Sequence, residues 1–126
     1  MIETLNINDF AWVNAIHQEA FGKKLTENDF KAPYNIIGIR NFAYMIYTEV
    51  LNEAEIIFIA VDKVHKRQGL ATKLVQSLDG TIFLDVNENN HGAINFYKAC
   101  GFTEYARRKN YYSDGDAILM KREERC

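Results

Sequence analysis

An apolar run, Ile56-Ile57-Phe58-Ile59-Ala60-Val61, is followed closely by Lys66-Arg67-Gln68-Gly69-Leu70-Ala71-Thr72, after which Leu70, Leu74, Val75 and Leu78 recur at helical spacing. A second apolar segment, Thr81-Ile82-Phe83-Leu84-Asp85-Val86, begins just past Asp79-Gly80. The segment 54–86 is therefore a strand, a helix and a strand. A helical crossover of this length joins two strands in parallel with a right-handed connection. That excludes an all-helical or purely antiparallel fold. Ligands of such sheets collect beyond the carboxyl ends of the strands, where the basic turn and Asp85 both lie.

The flanking segments fill out a mixed sheet. Residues 2–6 predict a short strand, and Asp9 caps a helix over 10–21 that carries Phe10, Val13, Ile16 and Phe21, with Gly22 just past its end. Thr26-Glu27-Asn28-Asp29 opens a short second helix that stops before Pro33. Strands are expected over 35–39, 42–51 and 54–62, turning at Asn41 and at Asn52-Glu53. The helix after the basic turn runs over 69–79. A polar loop, Asn87-Glu88-Asn89-Asn90, then leads into a helix over 91–100 with Ala93, Ile94, Tyr97 and Cys100 on one side. Strands over 102–111 and 117–122 close the chain, joined by Ser113-Asp114-Gly115-Asp116.

The 126 residues fit one domain, 1–126, with an ordinary share of apolar residues. A net charge of −2 argues against non-specific nucleic-acid binding. Neither a signal peptide nor a membrane-spanning run is visible, and the expectation is a soluble cytoplasmic protein without direct nucleic-acid or membrane contacts. Cys100 and Cys126 have no metal-ligand spacing, and no metal is expected. His17, His65 and His91 read as surface or capping residues.

Five features carry chemistry. The turn at 66–72 points unpartnered helix N–H groups at one spot, the arrangement that binds phosphate; the plainer reading is that Gly69 makes a tight turn. Asp85 shares a strand face with Phe83, opposite Ile82, Leu84 and Val86. A carboxylate there is either functional or bonded to backbone N–H groups of the asparagine-rich loop. Tyr97 is either a core tyrosine or a proton donor to a departing thiolate. Asn90 caps the following helix or holds a ligand, and Tyr111 and Tyr112 are edge-strand packing or an aromatic wall for a substrate.

Together these residues resemble the GNAT superfamily of N-acetyltransferases. Its pattern [Q/R]-x-x-G-x-[G/A] reads here Lys66-Arg67-Gln68-Gly69-Leu70-Ala71 after Ala60-Val61-Asp62. Leu84-Asp85-Val86, Asn90, Phe96-Tyr97 and Gly101-Phe102 match the next block. Arg108-Lys109-Asn110-Tyr111-Tyr112 and Asp116-Ala117-Ile118-Leu119-Met120 resemble the ribosomal-protein-alanine N-acetyltransferases of bacteria, which act on the N-terminal amine of a small-subunit ribosomal protein.

The resemblance implies an α/β fold: a central mixed sheet of about seven strands flanked by about four helices, with a parallel pair splayed at an acetyl-CoA site. Main-chain groups of Ile59, Ala60 and Val61 would bond the pantetheine arm. Arg67, Gln68, Gly69, Leu70, Ala71 and Thr72 would hold the pyrophosphate, and Asn90 would contact the coenzyme near its reacting end. Tyr97 falls where the family has its general acid, Tyr111 and Tyr112 at the acceptor's side. Asp85 stands where the family has a glutamate base. One methylene shorter, it fits a base acting through an intervening water.

The implied reaction is direct attack by a neutral amine on the acetyl carbonyl, polarised by a main-chain N–H near Val61. No Cys–His or Ser–His pair is placed for a covalent intermediate. Deprotonating an α-amine of pKa about 8 at pH 7 costs about 1 kcal/mol, against about 4–5 kcal/mol for a lysine. A shortened base therefore suits a protein N-terminus as acceptor. The competing readings are an acetyltransferase for a small-molecule amine and a non-catalytic acyl-CoA-binding module.

Overall fold

The crossover places β4 (Glu53–Val61) and β5 (Thr81–Asn87) side by side and parallel, but their ladder is short: Glu53↔Thr81, Ala54↔Ile82 and Glu55↔Phe83. Beyond it the strands part. A β-bulge explains where. Against β3 (Ala43–Val50), Tyr47 pairs with Ile56 and Ile46 with Phe58, so Ile57 is an extra residue in β4. A bulge raises local twist and bends its strand, here two residues past the last β5 pair. It also switches faces. Ala54 and Ile56 point into one core, whereas Phe58 and Ala60 point into the other.

The computed structural model describes residues 1–123, so Cys126 lies outside the described residues. Seven strands form one sheet in the order β1-β2-β3-β4-β5-β7-β6. The others are β1 (Glu3–Thr4), β2 (Asn35–Ile39), β6 (Thr103–Tyr112) and β7 (Gly115–Arg122). Among the described residues only β4 and β5 pair in parallel; β1–β4 form an antiparallel meander and β7 is antiparallel to both β5 and β6. α2 (Leu70–Gln76) and α3 (His91–Ala99) cover one face of the sheet over Met45, Ile56, Ile82, Leu84, Val86, Ile118 and Met120. α1 (Phe10–Phe21) covers the other face, over Ile36, Tyr44, Ile46 and Ala60 in β2–β4. Fully burying a Leu74 or Ile82 side chain contributes about 1.5–3 kcal/mol each.

Three expectations need correction. The second helix is a single 3-10 turn, Glu27–Phe30, so three α-helices flank the sheet among the described residues. Asp9 does not cap α1 with its side chain. It is the third residue of a capping box whose cap is Asn6, and it accepts from Asn6 N–H (3.0 Å), Trp12 Nε1–H (3.2 Å) and Arg40 Nη1–H (2.9 Å). The hairpin loop is shorter than expected, because Gly115 and Asp116 already belong to β7.

His17 is a fourth correction: it is buried, not at the surface. The Tyr44 hydroxyl, itself buried, bonds its Nδ1, and Phe21 and Phe58 pack against the ring. Burial pushes the His17 imidazole below its usual pKa, with Asp29 partly offsetting this, and burial pushes the Tyr44 phenol up. The neutral pair then has Tyr44 as donor and His17 as acceptor. Because the folded imidazole resists protonation, the unfolded chain takes up the proton first as pH falls below 6.5. Stability contributed here is complete above that value and is lost as pH falls through the window beneath it. Thermal melts from pH 8 to 5 should show a decline that His17→Gln lessens; identical pH slopes in both proteins would contradict this.

Candidate functional site

The parting of β4 and β5 leaves Ile56–Val61 without a strand on that side. Residues 59–61 therefore border an open slot with an unpaired backbone edge, to which an extended polar chain can add as a strand. At the end of the slot the chain turns sharply. Asp62 N–H bonds Phe42 O (2.7 Å), His65 Nδ1 meets Asp62 Oδ2 (2.7 Å), and the His65 ring stacks on Phe42 at 4.0 Å. This braced turn delivers the basic loop.

Within that loop Arg67 (φ +65°) and Gly69 (φ +76°) are left-handed, and Gly69 is the N-cap of α2. The first bond to Gly69 O comes from Lys73 N–H (3.0 Å), so the N–H groups of Leu70, Ala71 and Thr72 have no acceptor within the helix. Arg67, Gln68 and Gly69 are exposed. Nothing lies within 4 Å of where a Gly69 Cβ would stand. Open space, unpartnered N–H groups and basic side chains fit a phosphate-bearing group.

Asp85 is half-buried in β5, facing away from α2 and α3 as the strand alternation requires. In the loop that follows, the N–H groups of residues 88–90 are engaged elsewhere. Glu88 N–H goes to Asp116 O (3.0 Å), Asn89 N–H to Asn87 Oδ1 (2.9 Å), and Asn90 N–H to Asn87 O (2.9 Å). None of these three N–H groups donates to Asp85. Instead the carboxylate lines a groove of about 330 Å³ on the face of the sheet that α1 leaves uncovered, with Glu53, Glu55, Phe83, Tyr105 and Arg108.

Tyr97 lies on the other side of the sheet. It is 8% exposed, packed against Phe96 and Phe102, and belongs to the core over Leu84 and Val86. Burial, and secondarily Cys100, pushes its phenol up to about 12. It stays protonated at every physiological pH. Asn90 caps α3, its Oδ1 accepting from Ala93 N–H (3.2 Å), while the residue itself is exposed.

Tyr111 and Tyr112 sit at the end of β6, edge to face at 5.0 Å. Tyr111 is exposed and carries Arg108 over its ring. Tyr112 is half-buried; burial first, and then the charge of Asp85, push its phenol up. Sequence reasoning missed Glu53, Glu55, Tyr105 and Arg108 as groove residues. The alternation Glu53-Ala54-Glu55-Ile56 was the available signal, since it puts two carboxylates on one strand face.

The acetyltransferase (GNAT) family model matches residues 34–102, and the chain belongs to that family. It is 32% identical over 146 aligned positions to the [ribosomal protein bS18]-alanine N-acetyltransferase of Haemophilus ducreyi, covering 95% of this chain and 97% of that one. It is 40% identical over 90 positions to the enzyme of the same name from Escherichia coli K12, covering 62% of this chain. That match spans only 61% of the relative's length. The crystal structure of the ribosomal-protein-S18-alanine N-acetyltransferase from Escherichia coli superposes with a TM-score of 0.86 at 30% identity, covering 100% of this chain and 94% of that one. No helix among the described residues is long and apolar enough to cross a membrane.

Proposed function

We propose that the chain is an acetyl-CoA-dependent N-acetyltransferase acting on the N-terminal α-amine of a protein, with a small-subunit ribosomal protein as the acceptor. The observation that carries this reading is the splay of β4 and β5, with Asp85 on one side of the sheet and Tyr97 on the other. Acetyl-CoA supplies the thioester. Ile59, Ala60 and Val61 would hold its pantetheine arm, Arg67 through Thr72 its pyrophosphate, and Asn90 the region near the reacting end. The open groove beside Asp85 supports an extended peptide over an enclosed metabolite, and Tyr111 and Tyr112 would meet that peptide from the end of β6.

In the reaction the amine nitrogen bonds the acetyl carbon, the carbon–sulfur bond breaks, and the amine gives up a proton. Asp85, too short to reach that nitrogen as a glutamate would, takes the proton through a water. Tyr97 donates a hydrogen bond to the sulfur as it gains charge.

Asp85→Asn should lower kcat/KM at neutral pH, and the deficit should shrink as pH rises and more amine is already neutral. Asp85→Glu should retain activity. pH–rate profiles with an N-terminal alanine peptide, run beside thermal melts, test this. An Asp85→Asn protein that melts normally and keeps the wild-type profile removes Asp85 as base.

A further inference from the structure

The β6–β7 hairpin is irregular at one place. Arg108 pairs with Ala117 and Tyr112 with Gly115, so Lys109, Asn110 and Tyr111 of β6 stand against Asp116 alone. Two extra residues form an arch that carries Tyr111 outward, and Asn110 takes φ +55° at its crest. An L-residue in that region, with its N–H out of the ladder, needs an outside acceptor. Asp116 supplies it: Asn110 N–H donates to Asp116 Oδ1 at 2.9 Å.

Asp116 is also fixed from the other direction. Its N–H donates to Glu88 Oε2 at 2.6 Å, and its carbonyl accepts from Glu88 N–H at 3.0 Å. Arg107 lies beside both carboxylates, 3.7 Å from Glu88 and 4.0 Å from Asp116. Two further bonds run alongside, from Asn87 Nδ2 to Asp114 Oδ1 (2.7 Å) and from Asn89 Nδ2 to Asp114 O (2.8 Å). Gly115 permits this approach, since a Cβ there would stand 3.0 Å from Glu88 Oε2 and 2.9 Å from Asn89 Nδ2. The partners 87–89 begin two residues after Asp85, at the end of β5 and in the loop beyond it. The half-buried Tyr112, which feels the charge of Asp85, closes the same arch.

We infer that Asp116, clasped by Glu88, is a positioning residue that sets the arch 109–111 and thereby the placement of the acceptor amine beside Asp85. It touches neither the coenzyme slot nor the basic loop, so its effect falls on the acceptor side alone. This rests on the acetyltransferase reading above. It assigns the hairpin's shape to one carboxylate and to the loop that follows the catalytic strand.

The test is steady-state kinetics with two acceptors, an N-terminal alanine peptide and a small primary amine, beside calorimetric acetyl-CoA binding. Asp116→Ala should raise the peptide KM roughly tenfold, the scale of one or two lost hydrogen bonds, with kcat and acetyl-CoA affinity within about twofold of wild type. Asp116→Asn should recover most of the loss, because its Oδ1 still accepts from Asn110 N–H. Glu88→Ala should move the peptide KM the same way and carries the test if Asp116→Ala does not fold. An unchanged peptide KM in folded Asp116→Ala and Glu88→Ala proteins overturns the inference. So does an equal loss of acetyl-CoA affinity, or an Asp116→Asn protein no better than Asp116→Ala. A wild-type protein that acetylates only the small amine overturns the peptide reading instead, and the clasp is then judged on that amine's KM. A wild-type protein that acetylates neither overturns both.

Discussion

Replacing Tyr97 with phenylalanine is expected to lower turnover by roughly 10²–10³-fold while leaving acetyl-CoA affinity nearly intact. The ring stays packed between Phe96 and Phe102, and only the hydroxyl is lost. The magnitude follows from what that hydroxyl can do. With its pKa pushed up to about 12, complete transfer to a thiolate of ordinary pKa about 8.5 runs uphill by roughly 5 kcal/mol. Tyr97 is therefore better suited to donate a hydrogen bond as charge grows on sulfur than to surrender its proton. Losing one such donor has the cost of losing an oxyanion-hole donor; in both proteins the sulfur leaves as a thiolate that takes its proton from solvent. Single-turnover rates measure this step apart from product release. Equal rates in the two proteins would return Tyr97 to the role of a core residue.

Gly69→Asp is expected to weaken acetyl-CoA binding by roughly 10²-fold, through two effects that can be separated. The left-handed backbone at Gly69, φ +76°, costs any L-residue about 1–2 kcal/mol. A Cβ meets no atom there, so crowding within the protein contributes nothing. The aspartate charge then opposes the pyrophosphate at the mouth of the unpartnered N–H groups. Gly69→Ala carries the strain without the charge and should lose much less affinity. Calorimetry on both variants decides it, and wild-type affinity in a folded Gly69→Asp protein would detach the basic loop from the coenzyme.

The elements with one clear period were legible in the chain. The helix expected over about 10–21 is α1 (Phe10–Phe21), and Gly22 adopts the left-handed conformation (φ 73°) that ends it. The alternation of β5 placed Asp85 opposite Leu84 and Val86, as observed. The bulge at Ile57 was not legible, because 56–61 is apolar at every position and a run without alternation carries no record of a face switch. Yet that bulge accompanies the parting of β4 from β5. His17 was misread because an imidazole on a helix is neutral evidence until its neighbours are known; Tyr44, 27 residues away, settles its burial. Asp116 looked like a hairpin-loop residue for a similar reason. Its partners Glu88 and Asn110 meet it only once β5, β6 and β7 are assembled.

Mass spectrometry of a peptide bearing N-terminal alanine, incubated with acetyl-CoA and the protein, addresses the central claim. The account predicts one acetyl group per peptide, located at the α-amine by fragmentation and absent when acetyl-CoA or the protein is left out. Internal lysines of the same peptide should stay unmodified, since their protonation at neutral pH costs about 4–5 kcal/mol to reverse. Acetylation confined to lysine side chains, or none above the protein-free control, would contradict it.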